Sequence, residues 1–217
     1  LSQSGLTEMV YNDFHVGDDC DVTIVAGCGI HNGGDQASKH DGIHSFFIGK
    51  NSHVKYVEKH YGSGDGKGER IMNPETIIHL AEYSFMEMET VQIKGVDSTK
   101  RITSADLAEG AKLIVTEKLM THGKQIAESE MEIVLEAEDA TGRVISRSVA
   151  KDSSYVPVCI ESIQKIIKET GKKLTIADFR RSCLDKLVSE LYAGVKKEDI
   201  DALFGISPAG DFNKVVN

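Results

Sequence analysis

The chain has 217 residues, of which 40% are hydrophobic and 27% are charged, and its formal net charge is −9. This composition suffices for one or two domains with a hydrophobic core, and the absence of a Lys/Arg stripe interleaved with aromatic residues argues against binding to nucleic acid or an anionic membrane surface. No apolar run approaches the roughly 20 residues of a spanning helix and no apolar signal segment begins the chain, so we expect a cytoplasmic location and no membrane partner.

A short strand-like pattern with apolar residues at alternating positions recurs five times. Its copies are residues 21–25, 53–57, 85–89, 112–116 and 143–147. The anchor residues, one in each copy, are Val22, Val54, Met86, Leu113 and Val144. Successive anchors lie 32, 32, 27 and 31 residues apart, and a second strand-like stretch lies within each step. Such a period is typical of a solenoid, whose stacked rungs share one core. We predict a mainly β fold with about five rungs over residues 1–157.

Beyond Pro157 the spacing of the apolar residues becomes helical. The first such residues are Ile160, Ile163, Ile166 and Ile167. The stretch from Thr175 to Asp178 resembles a capping box and precedes a second amphipathic stretch that Gly194 ends. We therefore predict a helical C-terminal segment over residues 158–217. Its apolar face either only covers the open end of the solenoid or also supports binding of a partner.

The densest group of potential metal ligands is Cys28-x2-His31-x8-His40-x3-His44. A thiolate and imidazoles bind zinc or ferrous iron, and these short spacings allow a strand, a loop and a second strand to bring them together. The four cysteines of the chain are too few for a dense disulfide framework, so we expect reduced thiols. Because the intervening loop is polar, its histidines could equally face water, and both interpretations stay open.

Several acidic residues lie at strand positions. Glu58 and His60 share one face of a strand, either as a carboxylate and imidazole that orient a metal ligand or shift a proton, or as an ordinary ladder facing solvent. We interpret Glu87, Glu89 and Glu117, at comparable positions, as part of the hydrated outer face of the solenoid. No functional role is therefore predicted for these three glutamates.

The glycine-rich loop at residues 62–68 superficially resembles a phosphate-binding loop. A P-loop requires glycine five positions before its Gly-Lys pair and Ser or Thr after it, whereas Tyr61 and Gly68 occupy these places. We interpret the loop as a turn, so any ATP chemistry must come from a partner.

Five separated blocks agree in order and spacing with a known family. They are AGCGIHN at 26–32, HDGIH at 40–44, VKYVEKHYG at 54–62, MEMETVQIKG at 86–95 and VISRSVA at 144–150. From residue 6 to residue 155 the chain resembles the SufB/SufD family of iron–sulfur cluster assembly proteins, and in particular its short, single-protein versions from anaerobic bacteria and archaea.

This resemblance implies a right-handed β-helix that acts as a scaffold, assembles a nascent iron–sulfur cluster from iron and sulfide, and hydrolyses nothing itself. It implies two partners, a SufC-type ABC ATPase and a second SufB/SufD-type subunit, which can be another copy of this chain. Beyond Tyr155 the chain departs from the family, whose later rungs hold a Cys, Glu or His implicated in cluster formation. Cys159 and Cys183 fall in the predicted helical segment and are not matched to those positions.

Two other functions remain open from the residues alone. One is a metal-binding β-solenoid module that uses Cys28, His31, His40 and His44 without assembling a cluster. The other is a β-helix enzyme acting on polysaccharide, which the absence of Trp and an aromatic content of 6% disfavour because sugar-stacking platforms are aromatic.

Overall fold

Strands form all the regular structure that the computed structural model describes, which covers residues 1–154, 156 and 158–164. The strands are β1 Thr7–Val16, β2 Asp21–His31, β3 Ser38–Ile48, β4 His53–Ser63, β5 Arg70–Leu80, β6 Phe85–Lys94, β7 Ser98–Leu107, β8 Lys112–Thr121, β9 Ile126–Leu135, β10 Thr141–Ala150 and β11 Val158–Gln164. Within these ranges no helix is long and apolar enough to cross a membrane.

The strands form two parallel sheets. The odd-numbered strands make a six-stranded sheet in the order β1-β3-β5-β7-β9-β11, and the even-numbered strands make a five-stranded sheet in the order β10-β8-β6-β4-β2. Each strand therefore pairs with the strand two places further along the chain, which is the topology of a β-solenoid. The predicted mainly β solenoid fold is confirmed.

The predicted repeat matches the strand register over its first four copies. Val22 lies opposite Val54, Val54 opposite Met86, and Met86 opposite Leu113. In the fifth copy the register differs by two residues, because Leu113 lies opposite Gly142 and Val144 lies opposite Val115. A shift of two residues keeps each side chain on the same face of the sheet, so the alternating pattern survives it.

The structure corrects the predicted boundary between solenoid and helical segment. Residues Val158–Gln164, where we predicted the start of a helix, form β11 and pair in parallel with residues 129–135 of β9. The edge of β9 offers unpaired backbone N–H and C=O groups, and pairing with them outweighs the local helical spacing of the isoleucines. The rest of the predicted helical segment lies outside the described residues.

The core lies between the two sheets, and its main apolar cluster occupies one end of the inward-facing strand positions. Side chains alternate between inside and outside along each strand, and those inside stack on their counterparts in the next rung. Phe46 is fully buried, stacks on Phe14 at a ring-centroid distance of 4.7 Å and contacts Tyr56 at the same distance. Burial of each such side chain stabilises the fold by about 1.5–3 kcal/mol.

A second, smaller apolar cluster contains Ile30, Met72 and Val96. These residues lie towards the opposite end of the inward-facing positions from the main cluster around Phe46. The inward-facing residues between the two clusters are largely polar, and they contain the candidate functional site.

Candidate functional site

Strand β4 carries two ionisable side chains into the interior. Val54 and Tyr56 belong to the apolar core, and continued alternation along the strand turns Glu58 and His60 inward as well. Glu58 is 1% exposed and His60 is 4% exposed. The interpretation of this pair as a solvent-facing ladder is therefore wrong. The alternation of Val54 and Tyr56 in the sequence already indicated that Glu58 and His60 face inward.

Strand β8 repeats this arrangement. Leu113 and Val115 belong to the core, and Glu117 follows on the same face with no exposed surface. The interpretation of Glu117 as part of the hydrated outer face is wrong for the same reason. Glu89, on the outward face of β6, is partly exposed and accepts a hydrogen bond of 2.6 Å from Lys118 Nζ.

Three potential metal ligands from three successive strands meet in the interior. Cys28 of β2, His44 of β3 and Glu58 of β4 each bring one donor atom to within 4.8 Å of the other two. Glu58 Oε1 lies 3.1 Å from His60 Nε2, whereas Glu58 Oε2 accepts no hydrogen bond within the described part of the chain. A buried carboxylate with one oxygen that accepts no hydrogen bond retains acceptor capacity for a cation. We call Cys28, His44 and Glu58 the interior triad.

His44 is held in place through both ring nitrogens. Its Nδ1 lies 2.7 Å from the Tyr56 hydroxyl and 3.5 Å from Glu58 Oε1. Asn12 Nδ2 lies 3.3 Å from its Nε2 and donates to it. These contacts orient the imidazole, with its Nδ1 edge towards Glu58.

The protonation states of the interior triad follow from burial and from neighbouring charges. Burial alone would raise the pKa of Glu58, but His60, Arg101 and His44 outweigh it and hold this pKa at about 2. Burial lowers the pKa of His44, so the imidazole is neutral at neutral pH. Burial and the charge of Glu58 raise the pKa of the Cys28 thiol to about 11. A metal ion bound here would therefore displace the thiol proton.

A chain of charged groups extends from the triad into later rungs. Arg101 Nη2 donates to His60 Nδ1 at 2.9 Å, and Arg101 Nε lies 3.6 Å from Glu117 Oε1. Glu117 also accepts hydrogen bonds from Ser129 Oγ at 2.8 Å and from Ser146 Oγ at 3.1 Å. Arg101 is a site residue that the sequence motifs did not indicate, although it shares its inward face of β7 with the buried residues Thr103, Ala105 and Leu107.

Of the four predicted metal ligands, the structure brings Cys28 and His44 together. His40 lies on the same inward face of β3 as His44 and is 7% exposed, with Nδ1 2.8 Å from Glu8 Oε2. His31 is exposed, and its Nδ1 lies 3.1 Å from Ser63 Oγ. His31 follows Cys28 by three residues, an odd number, so it lies on the opposite face of β2 and takes no part in the cluster.

Comparison with known proteins assigns a family. Residues 4–158 match the family described as SUF system FeS cluster assembly, SufBD core domain. A search of curated proteins and a search of solved structures each found no match. The matched residues cover well over half of the chain and include β1 to β10, and thus the whole interior triad. The chain therefore belongs to the SufB/SufD family and takes part in iron–sulfur cluster assembly.

Proposed function

We propose that this chain is a non-enzymatic scaffold of cluster assembly that receives ferrous iron, as substrate, at the interior triad. The observation that carries the proposal is the approach of Cys28, His44 and Glu58 to within 4.8 Å of one another, inside the solenoid. Thiolate, imidazole and carboxylate form a mixed donor set that suits iron or zinc, whereas calcium and magnesium prefer oxygen ligands alone.

The charges of the interior triad favour binding of a divalent cation. Once the Cys28 proton is displaced, its thiolate and the Glu58 carboxylate together carry two negative charges, which balance the charge of ferrous iron. The neighbouring charges of Arg101 and Glu117 are already engaged with each other at 3.6 Å. A bound cation would also satisfy Glu58 Oε2, which accepts no hydrogen bond in the described residues.

We further propose that a SufC-type ABC ATPase supplies the energy for cluster assembly or release, and that a second SufB/SufD-type subunit completes the scaffold. The glycine-rich loop at residues 62–68 supports the proposal that ATP is bound by a partner. Two of its backbone N–H groups already form hydrogen bonds to the preceding rung, since Gly66 N donates to Asn32 O and Gly68 N donates to Gly34 O. These N–H groups are not free to bind phosphate.

The iron-binding role is tested by anaerobic ferrous iron uptake, with sulfide added in a second step. Cys28→Ser is compared with Cys20→Ser, because Cys20 is also a partly buried free thiol but lies in the turn before β2, away from the triad. We expect Cys20→Ser to match the parent chain and Cys28→Ser to lose most of the bound iron. Equal iron uptake by both variants would overturn the role of the triad.

The partner is tested separately by an anaerobic binding titration with the SufC-type ATPase from the same source. Saturable binding at micromolar concentrations is the expected result. If iron binds at the triad but the ATPase does not associate, the chain is instead a metal-binding solenoid module, the alternative that the triad alone would support.

A further inference from the structure

Tyr56 belongs to the apolar core, yet its hydroxyl lies beside the interior triad. The hydroxyl oxygen is 2.7 Å from His44 Nδ1, a hydrogen-bond distance. This nitrogen is on the edge of the imidazole that faces Glu58. Packing of the aromatic ring accounts for the burial of Tyr56 but not for a hydroxyl at this position.

His44 Nδ1 is the nitrogen that an ion at the interior triad would use. It lies 3.5 Å from Glu58 Oε1. Two donors that each bind one tetrahedral ion at about 2.1 Å lie about 3.4 Å apart, so Nδ1 and Oε1 already have the separation of two ligands of the same ion. The other ring nitrogen, Nε2, is on the opposite edge and is engaged by Asn12 Nδ2 at 3.3 Å.

The Tyr56 hydroxyl and an ion compete for the same nitrogen. An imidazole nitrogen has one bonding position in the plane of its ring, which holds either a hydrogen-bond partner or a metal ion. In this structure the hydroxyl of Tyr56 takes that position on His44 Nδ1. An ion that binds Nδ1 must therefore displace the hydroxyl.

The ring of Tyr56 is enclosed by other aromatic rings. The residue has no exposed surface, and its ring centroid lies 4.7 Å from that of Phe46 and 6.3 Å from that of Phe14. The ring therefore stays beside His44 when the hydroxyl is displaced, and the hydrogen bond is lost each time an ion binds. Loss of one such hydrogen bond weakens binding by about 3- to 10-fold.

We propose that Tyr56 sets the metal affinity of the interior triad, because its hydroxyl occupies His44 Nδ1 in the empty site and is displaced by the ion. The inference rests on the proposed function and deepens it, since a scaffold has to release its iron to a growing cluster. Competition at one of three ligands keeps the ion exchangeable, in contrast to a closed structural metal site. Tyr56 is a positioning residue and not a ligand.

The test removes one oxygen atom and retains the ring. Tyr56→Phe is compared with Tyr61→Phe, because Tyr61 lies on the same strand but points outward and is 57% exposed. The full chain is reduced and titrated anaerobically with Co²⁺, whose visible d–d bands report coordination geometry and whose near-ultraviolet charge-transfer band reports the thiolate. Transfer of the bound ion to excess chelator measures its release. Circular dichroism and thermal unfolding verify that each variant is folded.

We expect Tyr56→Phe to bind Co²⁺ about 3- to 10-fold more tightly than the parent chain and to release it more slowly, with an unchanged spectrum. Tyr61→Phe should match the parent chain. A purely structural role of Tyr56 predicts the opposite sign, so unchanged or weaker binding by Tyr56→Phe would overturn the inference. The triad would still stand if Cys28→Ser abolished binding. If the parent chain binds no Co²⁺, both the inference and the iron-binding role are wrong.

A second measurement uses the parent chain alone. With tyrosine isotopically labelled at Cζ, the Tyr56 signal in the nuclear magnetic resonance spectrum should shift when Zn²⁺ is added, because the hydroxyl loses its partner. The Tyr61 signal should stay in place. A Tyr56 signal that does not move in the zinc-bound chain would show that the hydroxyl is not displaced, and the inference would be wrong.

Discussion

Arg101 sets the tautomer of His60 inside the solenoid, through the 2.9 Å hydrogen bond from Arg101 Nη2 to His60 Nδ1. A guanidinium group can only donate, so Nδ1 accepts and the imidazole proton lies on Nε2, which faces Glu58 Oε1 at 3.1 Å. Burial lowers the pKa of His60, in agreement with a neutral ring. His60 and the charge of Arg101 together keep the Glu58 carboxylate ionised, with its pKa at about 2.

Removal of the Arg101 charge should strongly destabilise the chain. Arg101→Met leaves Glu117 buried without its cation and His60 Nδ1 without its donor, and the loss of one partner of a buried pair costs about 3–5 kcal/mol. Arg147→Met, which removes an exposed arginine of β10, should change stability by less than about 0.5 kcal/mol. Urea unfolding measures both effects. A loss below about 1 kcal/mol for Arg101→Met would contradict the buried ion pair.

Stability should fall as the pH decreases below the ordinary histidine value of 6.5. Burial lowers the pKa of His44 and of His60, so the unfolded chain binds protons there before the folded chain does, and acidification favours unfolding. Each histidine contributes a slope of up to about 1.4 kcal/mol per pH unit. Glu58, with its pKa held at about 2, adds a second loss at pH values below its ordinary 4.5.

The pH effect is measured by urea unfolding between about pH 7.5 and about pH 5.5. The double variant His44→Gln/His60→Gln should show a smaller slope than the parent chain, whereas His31→Gln should keep the parent slope. A parent chain whose free energy of unfolding stays constant over this range would show that the two imidazoles are not held neutral by burial.

Truncation of two adjacent phenylalanines should reduce the free energy of unfolding by very different amounts. Phe46 is fully buried in the main apolar cluster, and Phe46→Ala should cost about 3–5 kcal/mol. Phe47 points outward, is 39% exposed and stacks on His15 at 4.7 Å, so Phe47→Ala should cost about 1 kcal/mol or less. Thermal or urea unfolding of the two variants verifies the strand register. Equal losses would mean that β3 does not have the register described.

Alanine substitution at two glycines with positive φ should distinguish the cost of backbone strain from the cost of close packing. Gly95 has a φ of +82°, and a Cβ there would lie 1.9 Å from Gly62 O in the neighbouring rung. Gly123 has a φ of +65°, and no atom of the described residues lies within 4 Å of such a Cβ. We expect Gly123→Ala to cost about 1–2 kcal/mol from the backbone alone, and Gly95→Ala to cost about 1–3 kcal/mol more because two rungs are forced apart. Similar losses in urea unfolding would contradict this close approach.

The sequence by itself determined the repeat and the face of each strand residue. Alternation is a property of the extended backbone, so the inward positions of Glu58, Glu117 and Arg101 follow from the residues that alternate with them along each strand. The pattern alone nevertheless left two interpretations of Glu58 open, and Glu117 was wrongly predicted to lie on the outer face. The five blocks of motif residues also led to the family that the comparison establishes.

Only the tertiary structure decided which side chains meet. Cys28 and His44 are close in sequence, but their contact with Glu58 depends on how three successive strands stack and on the distance between the two sheets. The strand at Val158–Gln164 likewise depends on the edge of β9, a partner about 29 residues earlier that local periodicity does not reveal. Local sequence patterns specify the strand repeat and the face of the sheet on which each side chain lies. Contacts between distant residues are set by strand pairing and by packing of the whole solenoid.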